Sequence, residues 1–296
     1  MTLIELITAQ SARLKQAGVS FGHGTGNAFD EAAWLVLWAL GMGLDALEEK
    51  ASTVLTTEQQ AAAEGLITRR IETRVPAAYL TREAWLQNVP FYVDERVIVP
   101  RSYIAELLAD GEGSGTLDAW LSDRTHKVLD LCTGSGSLAV IAAMAFPEVL
   151  VDAADISADA LAVARINVDR HALGRRITLL QSDLLAAVRG PYDLIVCNPP
   201  YVTTQSMQRL PAEYRAEPAL ALAGGDDGMD LVRTILRDAP RHMTNDAVLV
   251  LEIGHERANF ERAFPRMEAA WLDTSGGEDQ VVLLTRPALA AYRWTT

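Results

Sequence analysis

Apolar positions in the first eighty-five residues recur three and four apart. Leu3, Ile4, Ile7 and Leu14 repeat at helical spacing. Beyond the glycine-rich GVSFGHGTGN, so do Trp34, Leu35, Leu37, Trp38, Leu40 and Met42. Both stretches are predicted as helices. Trp34 and Trp38, four apart, share a helix face, which predicts core packing for both. A third helix is predicted from about Thr57 to Arg74, ended by Pro76. The period then shortens to two. NVPFYVDERVIVPRS (88–102) alternates around the turn-like Asp94-Glu95, a hairpin or extended connector.

From about residue 103 the pattern becomes strand, helix, strand, helix. HKVLDLCTGSGSLAVIAAMAF reads as a strand, a glycine-rich turn and an apolar helix; VLVDAADIS as a second strand; ADALAVARINVDRHAL as an amphipathic helix. ITLLQSDLL, YDLIVCNPPY and AVLVLEIG supply three more strands, with the helix GMDLVRTILRDAPRHM before the last of these and a late strand QVVLLTRP after it. Such alternation predicts an α/β fold: a doubly wound, mostly parallel sheet with helices on both faces and a ligand site beyond the carboxyl ends of the strands. The division that follows is a helical unit 1–86, a connector 87–102 and an α/β unit 103–296. The chain shows no internal repeat and no low-complexity tract.

Candidate chemistry clusters at those strand ends. DLCTGSG (130–136) follows a strand and opens a helix, and its glycines let the backbone curl close to a ligand. On its own the turn suits a dinucleotide, a nucleoside or tight strand–helix packing; without GK[ST] it is no phosphate-gripping loop. Asp155 ends the second strand, 21 residues beyond Gly134. It is read as an acceptor for two ribose hydroxyls rather than a helix cap, because Ser157 can do the capping. Asp183, ending the third strand, suits an adenine amine, with Leu184 against the ring, or equally a helix N-cap. Together these strand ends describe a pocket for an adenosine without phosphates, and S-adenosylmethionine fits it.

The fourth strand stops at NPPY, residues 198–201. Proline lacks the donor that a sheet ladder needs, so the pair forms a rigid corner. A planar NH₂ group is a poor methyl acceptor because its lone pair is delocalised. The Asn198 side-chain oxygen and the Pro199 carbonyl can each accept one of its hydrogens, Pro200 keeps the corner stiff, and Tyr201 can pack over the plane. Positioning of this kind supplies several kcal/mol of a barrier, with roughly 7–11 kcal/mol as its ceiling.

The 296 residues suffice for a core domain and a smaller one. A net charge of −13, with eight basic and twelve acidic residues in the first hundred, argues against nucleic acid and suits a basic protein partner. The two cysteines, Cys132 and Cys197, form no disulfide framework and show no zinc spacing. MTLIELITAQSARLKQAG lacks the pattern of a signal peptide, no apolar run reaches membrane-spanning length, and the expected location is the cytoplasm.

The ordered set DLCTGSG, Asp155, Asp183 and NPPY resembles the amino-directed, S-adenosylmethionine-dependent methyltransferases. Helical segment, hairpin and catalytic unit in this order are similar, over nearly the whole chain, to the HemK-like protein glutamine methyltransferases. FYVDERVIVPRS is similar to the branch that methylates large-subunit (50S) ribosomal protein L-three. The release-factor branch typically reads Pro-Arg-Pro and then an acid, where this chain has Pro100-Arg101-Ser102. PAEYRAEPALALAGGDDGMDLVR (211–233) matches the family's substrate-side loop. The resemblance implies a Rossmann-like class I methyltransferase fold with an antiparallel late strand, and substrate recognition by the helical unit. It assigns Asp130, Cys132, Thr133, Gly134, Ser135 and Gly136 to the methionine moiety. Asp155 goes to the ribose, Asp183 and Leu184 to adenine, Ile156 to the cofactor as well, and Asn198, Pro199, Pro200 and Tyr201 to the glutamine, Asn198 also bordering the cofactor. Cys132 stands where many relatives have glycine. No metal is implied. The expected partner is a basic ribosomal protein, free or in an assembling large subunit. The alternatives are a release factor, an adenine base in DNA or RNA, or a non-enzymatic assembly role.

Four further residues are placed less narrowly. His23 is read as a loop histidine and Cys197 as a small core residue. Glu252, ending a strand on the ligand side, either supports the site or makes a surface ion pair. Arg96 and Arg101 either orient the substrate or hold the two units together.

Overall fold

The computed structural model describes all residues except 110–115, 118, 122–124 and 295–296. The chain begins with helices α1 (Leu3–Gln16), α2 (Ala28–Ala39), α3 (Ala46–Lys50), α4 (Thr57–Thr73) and α5 (Ala77–Thr81). Their starts are set by side chains that satisfy otherwise orphaned N–H groups. Thr2 with Glu5 and Thr56 with Gln59 form capping boxes, and Asn27 accepts from the Phe29 and Asp30 N–H groups. Leu3, Leu6, Ile7 and Leu14 form the buried stripe of α1 and pack with Trp34, Leu35 and Ile67. The shared face of the two tryptophans is covered only at one end. Trp34 is 6% exposed, whereas Trp38, in the last turn of α2, is 45% exposed, so core packing holds for the first alone.

The hairpin is real but its turn is elsewhere. Strands β1 (Ala84–Leu86) and β2 (Val89–Phe91) pair antiparallel, joined by Gln87 and Asn88 with φ of 49° and 59°. Two left-handed residues in a two-residue loop match the twist of the strands they join. Asp94 does open a turn, its carbonyl accepting the Val97 N–H at 3.1 Å, but this turn lies beyond the hairpin; its carboxylate accepts from the Tyr92 hydroxyl and from the backbone and guanidinium of Arg96. The segment 92–103 has no ladder partner and buries Val93, Val97 and Val99.

Beyond α6 (Ile104–Ala109) comes the alternating region: β3 (Lys127–Leu131), α7 (Ser137–Ala145), β4 (Leu150–Asp155), α8 (Ala158–Arg170), β5 (Ile177–Gln181) and β6 (Tyr192–Cys197). After α9 (Thr204–Met207) and α10 (Asp230–Asp238) follow β7 (Met243–Glu252), α11 (Arg257–Ala263), β8 (Ala270–Thr274), β9 (Gly277–Thr285) and α12 (Arg286–Ala291). The strands form one sheet in the order β5-β4-β3-β6-β7-β9-β8. The first five are parallel; β9 runs antiparallel to β7 and to β8. This is the doubly wound, mostly parallel sheet expected, with β8 as a strand the pattern did not reveal. The order reverses between β3 and β6, and the crevice at their carboxyl ends is where such sheets bind ligands.

The stretch after β6 is fastened to the N-terminal helices by buried ion pairs. Arg70, fully buried, donates from Nε to Glu31 Oε1 at 2.8 Å and from Nη1 to Glu213 Oε1 at 3.4 Å. Glu213 also accepts the Ser20 N–H at 3.1 Å, with Arg74 Nη1 3.5 Å away. Four residues on, Glu217 takes both arms of Arg101, at 2.6 and 2.7 Å, and the Val99 N–H at 2.9 Å. His23 lies in a loop, as read, but buried: its ring centroid is 4.3 Å from that of Tyr214, and Nε2 is 3.6 Å from Glu217 Oε2. Burial pushes the Glu217 carboxyl up, yet the hydrogen bonds from Arg101, with the His23 ring close by, outweigh it and hold the group at about 2.

Candidate active site

The turn after β3 is built around two carboxylates. Asp130, wholly buried, accepts the Thr133 hydroxyl at 2.5 Å and the Ala139 N–H at 2.9 Å through Oδ2, while Oδ1 has no partner. Burial and the nearby charge of Asp155 push its carboxyl up to about 7 against those two hydrogen bonds. Asp155 accepts the Gly134 N–H on Oδ2 and the Ser157 N–H on Oδ1, both at 2.9 Å. It thus ties the glycine turn to the end of β4, while Ser157 caps α8 by accepting from Ala160. Thr133 donates its N–H to the Ala154 carbonyl, a second strut between the same elements. Gly136 lets α8 close in: a methyl there would lie 3.1 Å from the Ala164 Cβ. Ser135 stands beside it, its carbonyl accepting from Asn167 Nδ2, and the same amide bonds the Tyr92 carbonyl in the connector. Cys132 adopts φ of 61°, the left-handed conformation that glycine takes at no cost.

Asp183 is exposed beyond β5, and no helix follows it; its carbonyl instead accepts the Ala186 N–H in a turn. The helix-cap alternative therefore falls. At the carboxyl end of β6, Asn198 donates from Nδ2 to Glu252 Oε1 at 3.2 Å. Glu252, on the neighbouring strand β7, is 2% exposed and accepts the Ser102 hydroxyl at 2.6 Å and the Tyr103 N–H at 2.9 Å through Oε2. Burial pushes its carboxyl up to about 7, with the Ser102 and Tyr103 hydrogen bonds pulling the other way. The surface ion-pair reading of Glu252 therefore falls.

One cleft collects these groups. Cys132, Gly134, Asp155, Ile156, Asp183 and Leu184 line one side, and Asn198 and Pro200 border it. Asp130, Thr133, Ser135 and Gly136 stand behind the turn and do not reach the lining, and neither do Pro199 and Tyr201. Tyr201 is clasped by glycines: a methyl at Gly254 would sit 2.6 Å from its Cε2, and one at Gly224 2.6 Å from its Cα. Burial and the neighbouring Glu252 carboxylate raise its phenol well above the ordinary tyrosine value. The remaining walls were not singled out as site residues: Val97 and Ile98 from the connector, Pro218, Leu220 and Ala221 from the loop after β6, and Leu231 from α10. Period-two alternation carried a faint signal for the first wall, since Val97 and Val99 are buried while Arg96 and Ile98 between them are partly exposed. Arg96 lines the cleft, held by Asp94; Arg101 is engaged by Glu217 and joins connector to loop. Cys197 is buried in the core, as read. Among the described residues, no cluster of three or more His, Cys, Asp or Glu could hold a metal, and no helix is long and apolar enough to cross a membrane.

Comparison with known proteins gives this architecture its class. Residues 111–215 match the methyltransferase small domain family. The fold resembles that of the hMettl16 catalytic domain, solved in complex with the MAT2A 3′UTR hairpin 6, at a TM-score of 0.50 and 12% identity over 78% of this chain and 81% of that one. The chain is a methyltransferase with a Rossmann-like catalytic sheet. It is 53% identical to the ribosomal protein uL3 glutamine methyltransferase of Bordetella pertussis, over 97% of this chain and 96% of the relative. It is 51% identical to the protein of the same name in Burkholderia pseudomallei, over 98% and 96%. The chain belongs to the ribosomal protein uL3 glutamine methyltransferase family.

Proposed function

We propose that this enzyme methylates the side-chain amide nitrogen of a glutamine in ribosomal protein uL3, with S-adenosylmethionine as donor. One observation carries the reading: a single cleft is lined both by an adenosine-type set, Gly134, Asp155, Ile156, Asp183 and Leu184, and by the amide-binding Asn198. The residues fit that donor. Where a Gly134 side chain would stand there is open space, and the Asp155 and Asp183 carboxylates line the same cleft. Gly134 and its flanking turn would hold the methionine end, Asp155 the ribose, and Asp183 with Leu184 and Ile156 the adenine. Bound there, the donor supplies an electrophilic methyl carbon on a sulfonium.

The chain's own residues then do the positioning. Asn198 Oδ1 accepts one hydrogen of the glutamine NH₂, which turns the nitrogen toward the donor side and shifts electron density onto it. The two prolines that follow stiffen the corner from which Asn198 projects. No side-chain base is needed before transfer, because the nitrogen becomes acidic only once it carries the methyl. Substrate recognition falls to the N-terminal helical unit and the connector, whose Val97 and Ile98 form a cleft wall, and the acidic chain suits a basic ribosomal protein.

The test is methylation of purified uL3 by the purified enzyme, read by mass spectrometry. One methyl on a single glutamine is expected, with none on release factor or plasmid DNA. Asn198→Ala is expected to abolish transfer while donor affinity by calorimetry stays within about twofold, since the loss lies in orientation rather than donor binding. Unchanged turnover in that variant, or methyl on release factor alone, would overturn the reading.

A further inference from the structure

We infer that Glu252 is a positioning residue for methyl transfer: its buried carboxylate selects which end of the Asn198 amide faces the cleft. The inference rests on the reading of Asn198 as an acceptor for the substrate carboxamide. An asparagine amide has two ends of nearly the same shape, one a donor and one an acceptor. Only the oxygen end can receive an N–H from a primary amide. An amide turned the other way would present its own NH₂ to the substrate NH₂, donor against donor. Something must fix the rotation.

In this fold the selection comes from the adjacent strand. Cys197 of β6 pairs with Leu251 of β7, so residues 198 and 252 leave the sheet side by side. Three donors converge on the Glu252 carboxylate: Asn198 Nδ2 on Oε1, and the Ser102 hydroxyl and Tyr103 N–H on Oε2. In its ionised form, which prevails above about pH 7, the carboxylate offers only acceptors, so the nitrogen end of Asn198 is the end that can face it. That leaves Oδ1 as the free end of an amide that lines the cleft. Ser102 has its direction fixed as well, since its Oγ accepts the Ile104 N–H at 3.2 Å while its proton goes to Glu252. Arg101, the neighbouring cation, is held at both arms by Glu217 and does not compete for this carboxylate. The connector therefore braces Glu252, and Glu252 aims Asn198.

The test exchanges donors for acceptors in the pair. Glu252→Gln preserves shape and leaves one oxygen for Ser102 and Tyr103, but turns an NH₂ on the NH₂ of Asn198. Its kcat on uL3 is expected to fall on the order of 10²-fold, as displacement of an aligned group does, with donor affinity by calorimetry unchanged. Asn198→Asp in the Glu252→Gln background restores one donor facing one acceptor and leaves an oxygen toward the substrate. It is expected to recover at least about tenfold of kcat, whereas Asn198→Asp alone, with two carboxylates face to face, stays poor. A purely structural role for Glu252 would show no such recovery. Full activity in Glu252→Gln, or no recovery in the double variant with donor binding intact, overturns the inference. If Glu252→Gln melts below the assay temperature, Ser102→Ala takes its place: a several-fold loss of kcat at unchanged donor affinity is expected, and unchanged kcat overturns it. A wild-type enzyme that methylates no glutamine would instead sink the underlying functional reading, and that control is measured first.

Discussion

Asp155 carries two tasks with one carboxylate, and this sets the expected outcome of losing it. Its oxygens hold the Gly134 and Ser157 N–H groups, and the same side chain lines the cleft where a ribose would lie. Hydrogen bonds to a charged group are worth about 1.5–3 kcal/mol each. Asp155→Ala is therefore expected to weaken donor binding by roughly ten- to hundredfold, about 1.4 kcal/mol per factor of ten. Isothermal calorimetry checks this, and the KM for uL3 should change little, because the substrate side of the cleft is built from other elements. The acid was legible in the sequence because it ends a strand at the right distance from a glycine turn. Its anchoring of Gly134 was not, since nothing in residue order shows which N–H a carboxylate will meet. Glu252 marks a similar limit: its strand was legible, but its contact with Ser102, 150 positions away, depends on the closed fold.

Elements were readable to the extent that their burial was uniform. Strands β3, β6 and β7 sit inside the sheet and read as continuous Val, Ile and Leu runs, as strands covered on both faces do. Strand β8 lies at the sheet edge as AWLDT before a Ser-Gly-Gly turn, too short to declare itself. The hairpin turn was misplaced because Asp94-Glu95 belongs to a second turn just beyond the hairpin, whereas the glutamine that opens the hairpin's own turn gives no such signal. Among the connecting elements, the turn after β7 and the loop after β6 carry the clearest consequences. Gly254→Ala would drive a methyl into the Tyr201 ring at a residue with φ of 54°. Transfer is expected to drop at least about tenfold, since shifts of about 1 Å at a reacting centre can cost 10²-fold, with donor affinity preserved. Arg70→Ala removes the buried cation from Glu31 and leaves Glu213 only Arg74 and the Ser20 N–H; breaking a buried pair typically costs about 3–5 kcal/mol. Urea unfolding should show that loss, and the loop after β6 should become more open to limited proteolysis.

Across the whole molecule, buried carboxylates of opposite tendency shape the response to pH. Hydrogen bonds from Arg96 hold Asp94, and those from Arg101 hold Glu217, each at about 2. Their contribution is complete above the unfolded carboxylate values of about 4 and fades as pH falls toward 2. Burial pushes Asp130 and Glu252 up to about 7. The folded chain then holds more protons than the unfolded chain between about pH 4.5 and 7, so stability declines as pH rises through that window and levels off above it. The net charge of −13 adds self-repulsion in the same direction. Differential scanning calorimetry of the ligand-free protein from pH 2 to 8 should place the highest Tm at about pH 5, and a maximum at pH 7 or above would contradict this charge assignment. The joint at Pro100–Tyr103 bears on how the molecule can be taken apart. Ser102 and Tyr103 close one end of a chain of contacts whose other end is Asn198. Anyone exchanging the front of this enzyme for that of a relative, to redirect it to another target, would have to carry these few residues with the rear half, or inherit a catalyst that keeps its donor but has lost its aim.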